Sequence, residues 1–290
     1  MKLQRITTAF MLFFCSSAFA LGDWYDDWSS SFTRVITLTG GVALANPGQN
    51  QTFYLSRVEN IPIIGVSSTG APVIIGSIPV TNTFSNTYNA HKKTEVMGTG
   101  EVFFALQWPF PNGVLNQLGV AFGGASDANI KGTVSVNAVP TGSSYQYNVN
   151  HGKAVIRDKL IFAPFWNSVQ PFLTGSLGAS FNKSHGFSTA PTVDPNFSAT
   201  WFENNTQSFS FTYSVGLGLQ KCLNNNWNIS LGYEFEDWGR SSLGQGIVGT
   251  QQSIVVSGTS FVISQPITYN GPSLSHLYTH NILLSISYLF

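Results

Sequence analysis

Large apolar residues recur at every second position along much of this chain, and the residues between them are small or polar. From Phe209 to Gln220 the apolar set is Phe209, Phe211, Tyr213, Val215, Leu217 and Leu219; the intervening set is Ser210, Thr212, Ser214, Gly216, Gly218 and Gln220. A strand presents opposite faces at successive residues, whereas a helix would scatter these residues around its axis. Trp227 to Glu236 repeats the pattern, with Trp227, Ile229, Leu231, Tyr233 and Phe235 facing one way and Asn228, Ser230, Gly232, Glu234 and Glu236 the other. Leu173 to Asn182 places Leu173, Leu177, Ala179 and Phe181 against Thr174, Ser176, Gly178 and Ser180. Earlier stretches at Ile36–Leu44, Glu101–Trp108 and Asn116–Gly123 alternate in the same way. A less regular stretch runs from about Tyr145 to Phe162, and a final one ends at Phe290, with Ile282, Leu284, Ile286 and Tyr288 on its apolar face. The pattern predicts eight strands.

The connections between these strands alternate in length. Long segments cover about 46–96, 126–144, 183–208 and 239–275, and short ones cover 109–113, 164–168 and 223–226. Pro111-Asn112-Gly113 and Asn224-Asn225-Asn226 carry turn chemistry. Transmembrane β-barrels have short turns at one rim and long loops at the other, with an even strand count from eight upwards. Aromatic residues gather where two interfacial girdles are expected: Trp108, Phe110, Phe165, Trp166, Trp227 and Phe290 at the turn rim, and Tyr145, Tyr147, Phe181, Phe209 and Tyr278 at the other.

Composition agrees with a lipid-facing surface. Charged residues make up only 9% of the chain and aromatics 14%, against about 25% charged in soluble globular domains. The first 20 residues read as a secretory signal: Lys2 and Arg5, an apolar core containing Phe10, Leu12, Phe13 and Phe14, and the Ala18-Phe19-Ala20 cleavage pattern. The core is too short to span a bilayer, which takes about 20 apolar residues. Phe14 stands before Cys15 where a lipoprotein site has a small residue, so Cys15 belongs to the discarded signal. Removing Lys2 and Arg5 leaves 11 basic residues against 13 acidic ones, a net charge of −2. No basic patch points to nucleic acid. Cys222 is left without an intramolecular partner and is expected to be inert and tucked away. The expected organisation is a signal over 1–20, a short periplasmic segment over 21–33 anchored by Trp24 and Trp28, and one barrel over 34–290.

Two features resemble known proteins. The terminal set Ile282, Leu284, Ile286, Tyr288 and Phe290 resembles the sorting signal of bacterial outer-membrane β-barrels, which implies the barrel-assembly machinery as a partner. The run from Phe172 to Asn182 resembles the fifth strand of small eight-stranded barrels of the OmpA, OmpW and opacity-protein type. Leu231–Phe235 and Leu274–Tyr278 are similar to segments of uncharacterised gammaproteobacterial members of that set. The resemblance implies an outer-membrane location, with lipid and lipopolysaccharide as surroundings. It specifies a fold more than a function, and no peptidoglycan-binding domain follows the strands.

Glu101, Glu234, Glu236, Arg157 and Lys159 are expected to face the lumen, provided that Ala154, Ile156, Leu160 and Phe162 face lipid. Small barrels fill their interior with side chains and buried charges need partners, so a structural charge network is favoured over an acid–base pair. The same register turns Asp158 towards lipid, which a local bulge or a register error would explain. His276 and His280 lie on one face before the last strand and read as interfacial polar residues, since two ligands alone make a poor metal site. His91, His151 and His185 fall in loop-like contexts. There is no Gly-x-Ser-x-Gly elbow, and no catalytic residue, cofactor or metal is expected. Two long segments are unusually apolar, Ile61–Val80 and Ile254–Ile263. Either they pack on each other or they form a contact surface for a host molecule, another barrel, lipopolysaccharide or a hydrophobic solute. The expected function is a non-enzymatic envelope or surface-contact protein; the alternatives are a narrow porin-like channel or transporter for small or hydrophobic solutes, and then an outer-membrane enzyme.

Overall fold

A computed structural model describes residues 32–46, 50–136, 139–165, 168–190, 201–202, 206–256 and 259–290. The expected signal, residues 21–31 and Trp166 lie outside the described residues. In chain order the strands are β1 (Thr33–Ala45), β2 (Gln51–Val66), β3 (Pro72–Ala90), β4 (Glu95–Pro109), β5 (Leu115–Val136), β6 (Val139–Ile161), β7 (Val169–Thr189), β8 (Trp201–Phe202), β9 (Thr206–Cys222), β10 (Trp227–Asp237), β11 (Ser241–Ser242), β12 (Gln245–Val256), β13 (Thr259–Asn270), β14 (Ser273–Leu274) and β15 (Tyr278–Leu289).

Eight of them, β1, β4, β5, β6, β7, β9, β10 and β15, form a closed ring, each antiparallel to the next in chain order. β1 and β15 seal it, from Val35 opposite Leu289 to Ala45 opposite Thr279. Across that seam Thr37 meets Ser287 at 2.8 Å and Thr39 meets Ser285 at 2.9 Å. The chain is therefore an eight-stranded antiparallel up-and-down β-barrel. Its outward apolar residues form a continuous exposed belt that includes Leu38, Phe104, Phe122, Ile156, Phe211, Leu217, Leu231, Ile282 and Leu284. A belt of that extent is compatible with hydrocarbon and unfavourable in water, which is the signature of a transmembrane barrel.

One rim, the turn end, has short connections. A turn over Pro111–Gly113 joins β4 to β5, and Asn112 and Gly113 both take positive φ, 65° and 74°. Aromatic contacts ring this rim, pairing Phe32 with Trp108, Trp108 with Phe110, and Trp227 with Tyr288. Cys222 closes β9 there and is exposed rather than tucked away: it lies on the inward parity at the open turn rim, with its Sγ 3.5 Å from Gln170 Oε1.

The opposite rim, the arm end, departs from expectation. The segment 126–144 is no loop: β5 and β6 continue as paired strands to Val136 opposite Val139. Their faces invert along the way. Nearer the turn end β6 points Arg157 and Lys153 inward and Ile156 outward, whereas nearer the arm end it points Tyr145, Tyr147 and Val149 inward and Gln146 and Asn150 outward. Tyr145 and Tyr147 are therefore buried interior residues and not part of an interfacial girdle. The cause is the change of solvent: inside lipid the apolar face turns out, and beyond lipid it turns in. Phe181 and Phe209 do sit outward at this boundary, in an edge-to-face pair at 5.4 Å. A register shift opposite Gln146 and Asn148 eases β7 through the same zone, with Gly186 at φ 67°, a conformation that costs other residues about 1 kcal/mol or more.

Asp158 keeps its place on the outward face. The register is unbroken from Gly152 to Ile161, so no bulge rotates it, yet it is fully buried, as is Asn116 on the same face.

Two hairpins replace the apolar long loops. β2 and β3 pair along their full length with a shift at Ile63/Ile64, and β3 is rooted on the extended end of β5 from Asn86 opposite Val136 to Ala90 opposite Gly132. Its tip is uncovered, with Val66, Ile74 and Ile75 about two-thirds or more exposed, so at this tip the two apolar segments do not shield one another. β12 and β13 form the second hairpin, with Ile254 opposite Phe261; the side chains of 254–263 lie outside the described residues.

Candidate functional site

Among the described residues, charge, aromatic packing and hydroxyl groups converge in the lumen. Three strands supply its central charge layer by the inward parity of their sequences: Glu101 from β4, Lys153 and Arg157 from β6, and Glu234 and Glu236 from β10. Arg157 donates through Nη1 to Glu234 Oε2 at 2.7 Å and through Nη2 to Glu234 Oε1 at 2.9 Å. The same Nη2 reaches Glu101 Oε2 at 2.9 Å. Lys153 Nζ donates to Glu236 Oε1 at 2.6 Å and lies 3.0 Å from Glu101. Asn281 Nδ2 donates to the other Glu236 oxygen at 3.1 Å. All five charged side chains are buried, so the desolvation they suffer has to be offset by this geometry.

Lys159, expected in the same network, stands apart. It points inward, but one inward position closer to the turn end than Arg157, and there it meets no carboxylate. Its Nζ donates to Gln220 Oε1 at 2.8 Å and rests 4.3 Å from the centre of the Phe172 ring. Gln220 continues to Gln170 at 3.0 Å. Room for Phe172 comes from β9 and β10: a Cβ on Gly218 would fall 2.5 Å from its ring edge. A cavity of about 40 Å³, lined by Arg157, Lys159, Thr39, Thr174, Ser230 and Ser285, separates the two cationic levels. It holds a few water molecules at most.

Towards the arm end the lumen is capped. The chain leaving β10 folds over the opening, so that Trp238 stacks on His151 with ring centroids 4.2 Å apart and an interplanar angle of 8°. His151 lies in β6, inside the barrel, and its Nδ1 is 2.7 Å from Asn182 Oδ1. Asn182 Nδ2 donates to the carbonyls of Trp238 and Arg240 at 2.7 and 2.8 Å, and Ser180 adds 2.8 Å to Trp238 O. β11 and β14 pair across the opening, and Ser184 and Ser241 meet at 2.6 Å. Above them lies an apolar core of Tyr88, Tyr145, Tyr147, Phe187, Phe202 and Leu277. These rings lie beyond the lipid belt; burial pushes the Tyr145 hydroxyl up to about 12 and raises that of Tyr147 further, so both stay neutral.

Lys153 and Trp238 are lumen residues that the sequence pattern did not single out, and His151, expected in a loop-like context, lies buried in β6. Lys153 shares the parity of Arg157 and was legible from it. His151 sits where the face pattern inverts, and Trp238 lies just past its strand, so neither carried a period-two signal.

The remaining histidines do not form a centre. His280 Nδ1 meets Tyr233 Oη at 2.6 Å on the outer surface, His276 Nδ1 meets Asp237 Oδ2 at 2.7 Å, and His185 lies 3.3 Å from Asp127. Among the described residues no group of three potential ligands converges. Each lumen carboxylate is held by a cation within 3.0 Å, which suits a structural tie better than proton transfer.

No family model matches this chain, and no curated protein does. Several solved structures are similar at low identity. The outer membrane protein OprG of Pseudomonas aeruginosa is 12% identical with a TM-score of 0.36, over 90% of this chain and 97% of that one. Neisserial surface protein A is 9% identical with a TM-score of 0.35, over 90% and 98%. The outer membrane protease OmpT of Escherichia coli is 9% identical with a TM-score of 0.39, over 91% and 98%. The barrel architecture rests on the strand pairing itself.

Proposed function

We propose that this protein is an integral barrel of a bacterial outer membrane, with the turn end in the periplasm and the arm end outside, and that it works as a non-enzymatic surface-contact protein. The observation that carries this reading is the double closure of the lumen. The charge layer and the Trp238–His151 cap each obstruct it, and an eight-stranded interior is only wide enough for its own side chains. What the fold offers to the surroundings is the arm end, above all the β2–β3 hairpin with its exposed Val66, Ile74 and Ile75. The alternating set Ile282, Leu284, Ile286, Tyr288 and Phe290, outward along β15 and its end, is in this reading the segment presented to the barrel-assembly machinery.

The test is single-channel recording on residues 21–290 refolded into a planar bilayer. The expected result is a folded, heat-modifiable protein that stays electrically silent. Reproducible openings whose conductance shifts in a Glu234→Gln variant would replace this reading with the narrow channel.

A further inference from the structure

We infer that the cleft beside the β3–β4 connection binds the phosphate groups of an outer-leaflet glycolipid; this rests on the outer-membrane reading above. The connection is His91-Lys92-Lys93-Thr94, and its side chains are exposed. His91 N donates to Lys131 O at 2.8 Å, which sets it beside the exposed side chain of Lys131 on β5, and Lys93 N donates back to His91 O at 2.9 Å. Three lysines and a histidine thus share one small area. Next to it opens a cleft of about 390 Å³ lined by His91, Lys131, Ser144, Gln146, Ser188 and Thr189. Two sides of the cleft supply cations and hydrogen-bond donors.

The height of this patch selects the ligand. Val96, exposed and outward, is the apolar residue of β4 nearest the arm end, and from Trp108 to Val96 that strand covers the lipid belt. Lys93 lies three residues beyond Val96, and Lys131 about as far beyond the matching point of β5, or roughly 10 Å along a strand, which a strand tilt of about 35–45° reduces to about 7–8 Å along the membrane normal. That is the headgroup layer, which adds about 5–8 Å on each side of the hydrocarbon core. Among the described residues the cations of the patch outnumber the carboxylates near it. Asp127 is engaged by His185 at 3.3 Å and by Asn150 at 3.2 Å, which leaves Glu95 against three lysines. Lysine ammoniums at this depth meet lipid phosphates, and each contributes on the order of 1 kcal/mol of attraction to an anionic surface.

The experiment compares the chain with a Lys92→Gln/Lys93→Gln/Lys131→Gln variant, both refolded into phosphatidylcholine nanodiscs doped with bisphosphorylated lipid A. Lipid retained on the protein is read by native mass spectrometry. The expected result is selective retention of bisphosphorylated over dephosphorylated lipid A, reduced on the order of tenfold or more in the variant. Equal retention by the two proteins, or of the two lipids, overturns the inference. Inorganic phosphate binding the detergent-solubilised protein as tightly as the lipid would reassign the cleft to a free anion and overturn the glycolipid. Heat-modifiability and strand circular dichroism in undoped nanodiscs separate the two levels: a chain that fails to insert defeats the membrane reading, whereas one that inserts without lipid selectivity defeats only this site.

Discussion

Arg157 and Glu234 face each other across the lumen through two parallel hydrogen bonds of 2.7 and 2.9 Å. The same guanidinium holds Glu101 at 2.9 Å, so one side chain on β6 ties β10 and β4. The ring is braced through its middle as well as along its seams. Replacing Arg157 with Leu strips buried Glu234 of both its hydrogen bonds to the guanidinium, leaving it Lys153 at 3.8 Å and leaving Glu101 to Lys153 at 3.0 Å, and should destabilise the barrel by about 3–5 kcal/mol. Urea unfolding in lipid vesicles measures this, and adding Glu101→Gln and Glu234→Gln should recover most of the loss. An Arg157→Leu midpoint equal to that of the parent would show that the brace contributes nothing.

Lys153 and Lys159 are both buried lysines on β6, but only Lys153 has carboxylate partners. A double-mutant cycle of Lys153→Met with Glu236→Gln should give a coupling of roughly 0.5–3 kcal/mol. The cycle of Lys159→Met with Glu236→Gln should be additive within about 0.5 kcal/mol. Similar couplings in both would erase the distinction between the two levels.

Gly218→Ala drives a methyl group to 2.5 Å from the Phe172 ring edge and 2.4 Å from Leu231 O. Overpacking of this kind costs about 1–3 kcal/mol. Because one clash is with backbone, Phe172→Leu should rescue only part of it, as read by the same unfolding curves. Full rescue would mean that β9 and β10 shift freely.

Trp238→Ala removes the cap and leaves the charge layer in place. Single-channel recordings of this variant should remain silent, while Trp238→Ala combined with Arg157→Ala should open. Conductance from Trp238→Ala alone would identify the cap as the barrier and the charge layer as leaky.

The hairpin tip lies outside the ring. Replacing residues 62–79 with a short turn should leave barrel unfolding within about 0.5 kcal/mol of the parent, as read by heat-modifiability and urea titration. A collapse in folding yield would make the arm part of the barrel's own stability.

Strand number, ring order and the facing of Glu101, Arg157, Glu234 and Glu236 were legible because period two is the same wherever a strand lies in lipid. What period two cannot report is where the lipid stops. Tyr145 and Arg157 share a parity, so a single unbroken strand must send both inward; treating Tyr145 as a girdle residue overlooked this. The extensions of β5 and β6 escaped notice for a related reason. Their Ser, Asn and Gly residues read as loop, although outside the bilayer such residues are what the wet face of a strand requires. Trp238, His151 and the seats of the arms depend on contacts between distant segments, which no local pattern encodes.

β1 and β15 stand about 250 positions apart in the sequence, yet the hydroxyl pairs Thr37–Ser287 and Thr39–Ser285 join them. Until β15 exists, β1 keeps a bare row of amides and carbonyls, and no intermediate with fewer strands can rest in hydrocarbon. Such a chain cannot be threaded into the membrane piece by piece as it leaves the ribosome. It must be kept from aggregating in water as a complete polypeptide and then assembled as one closed object.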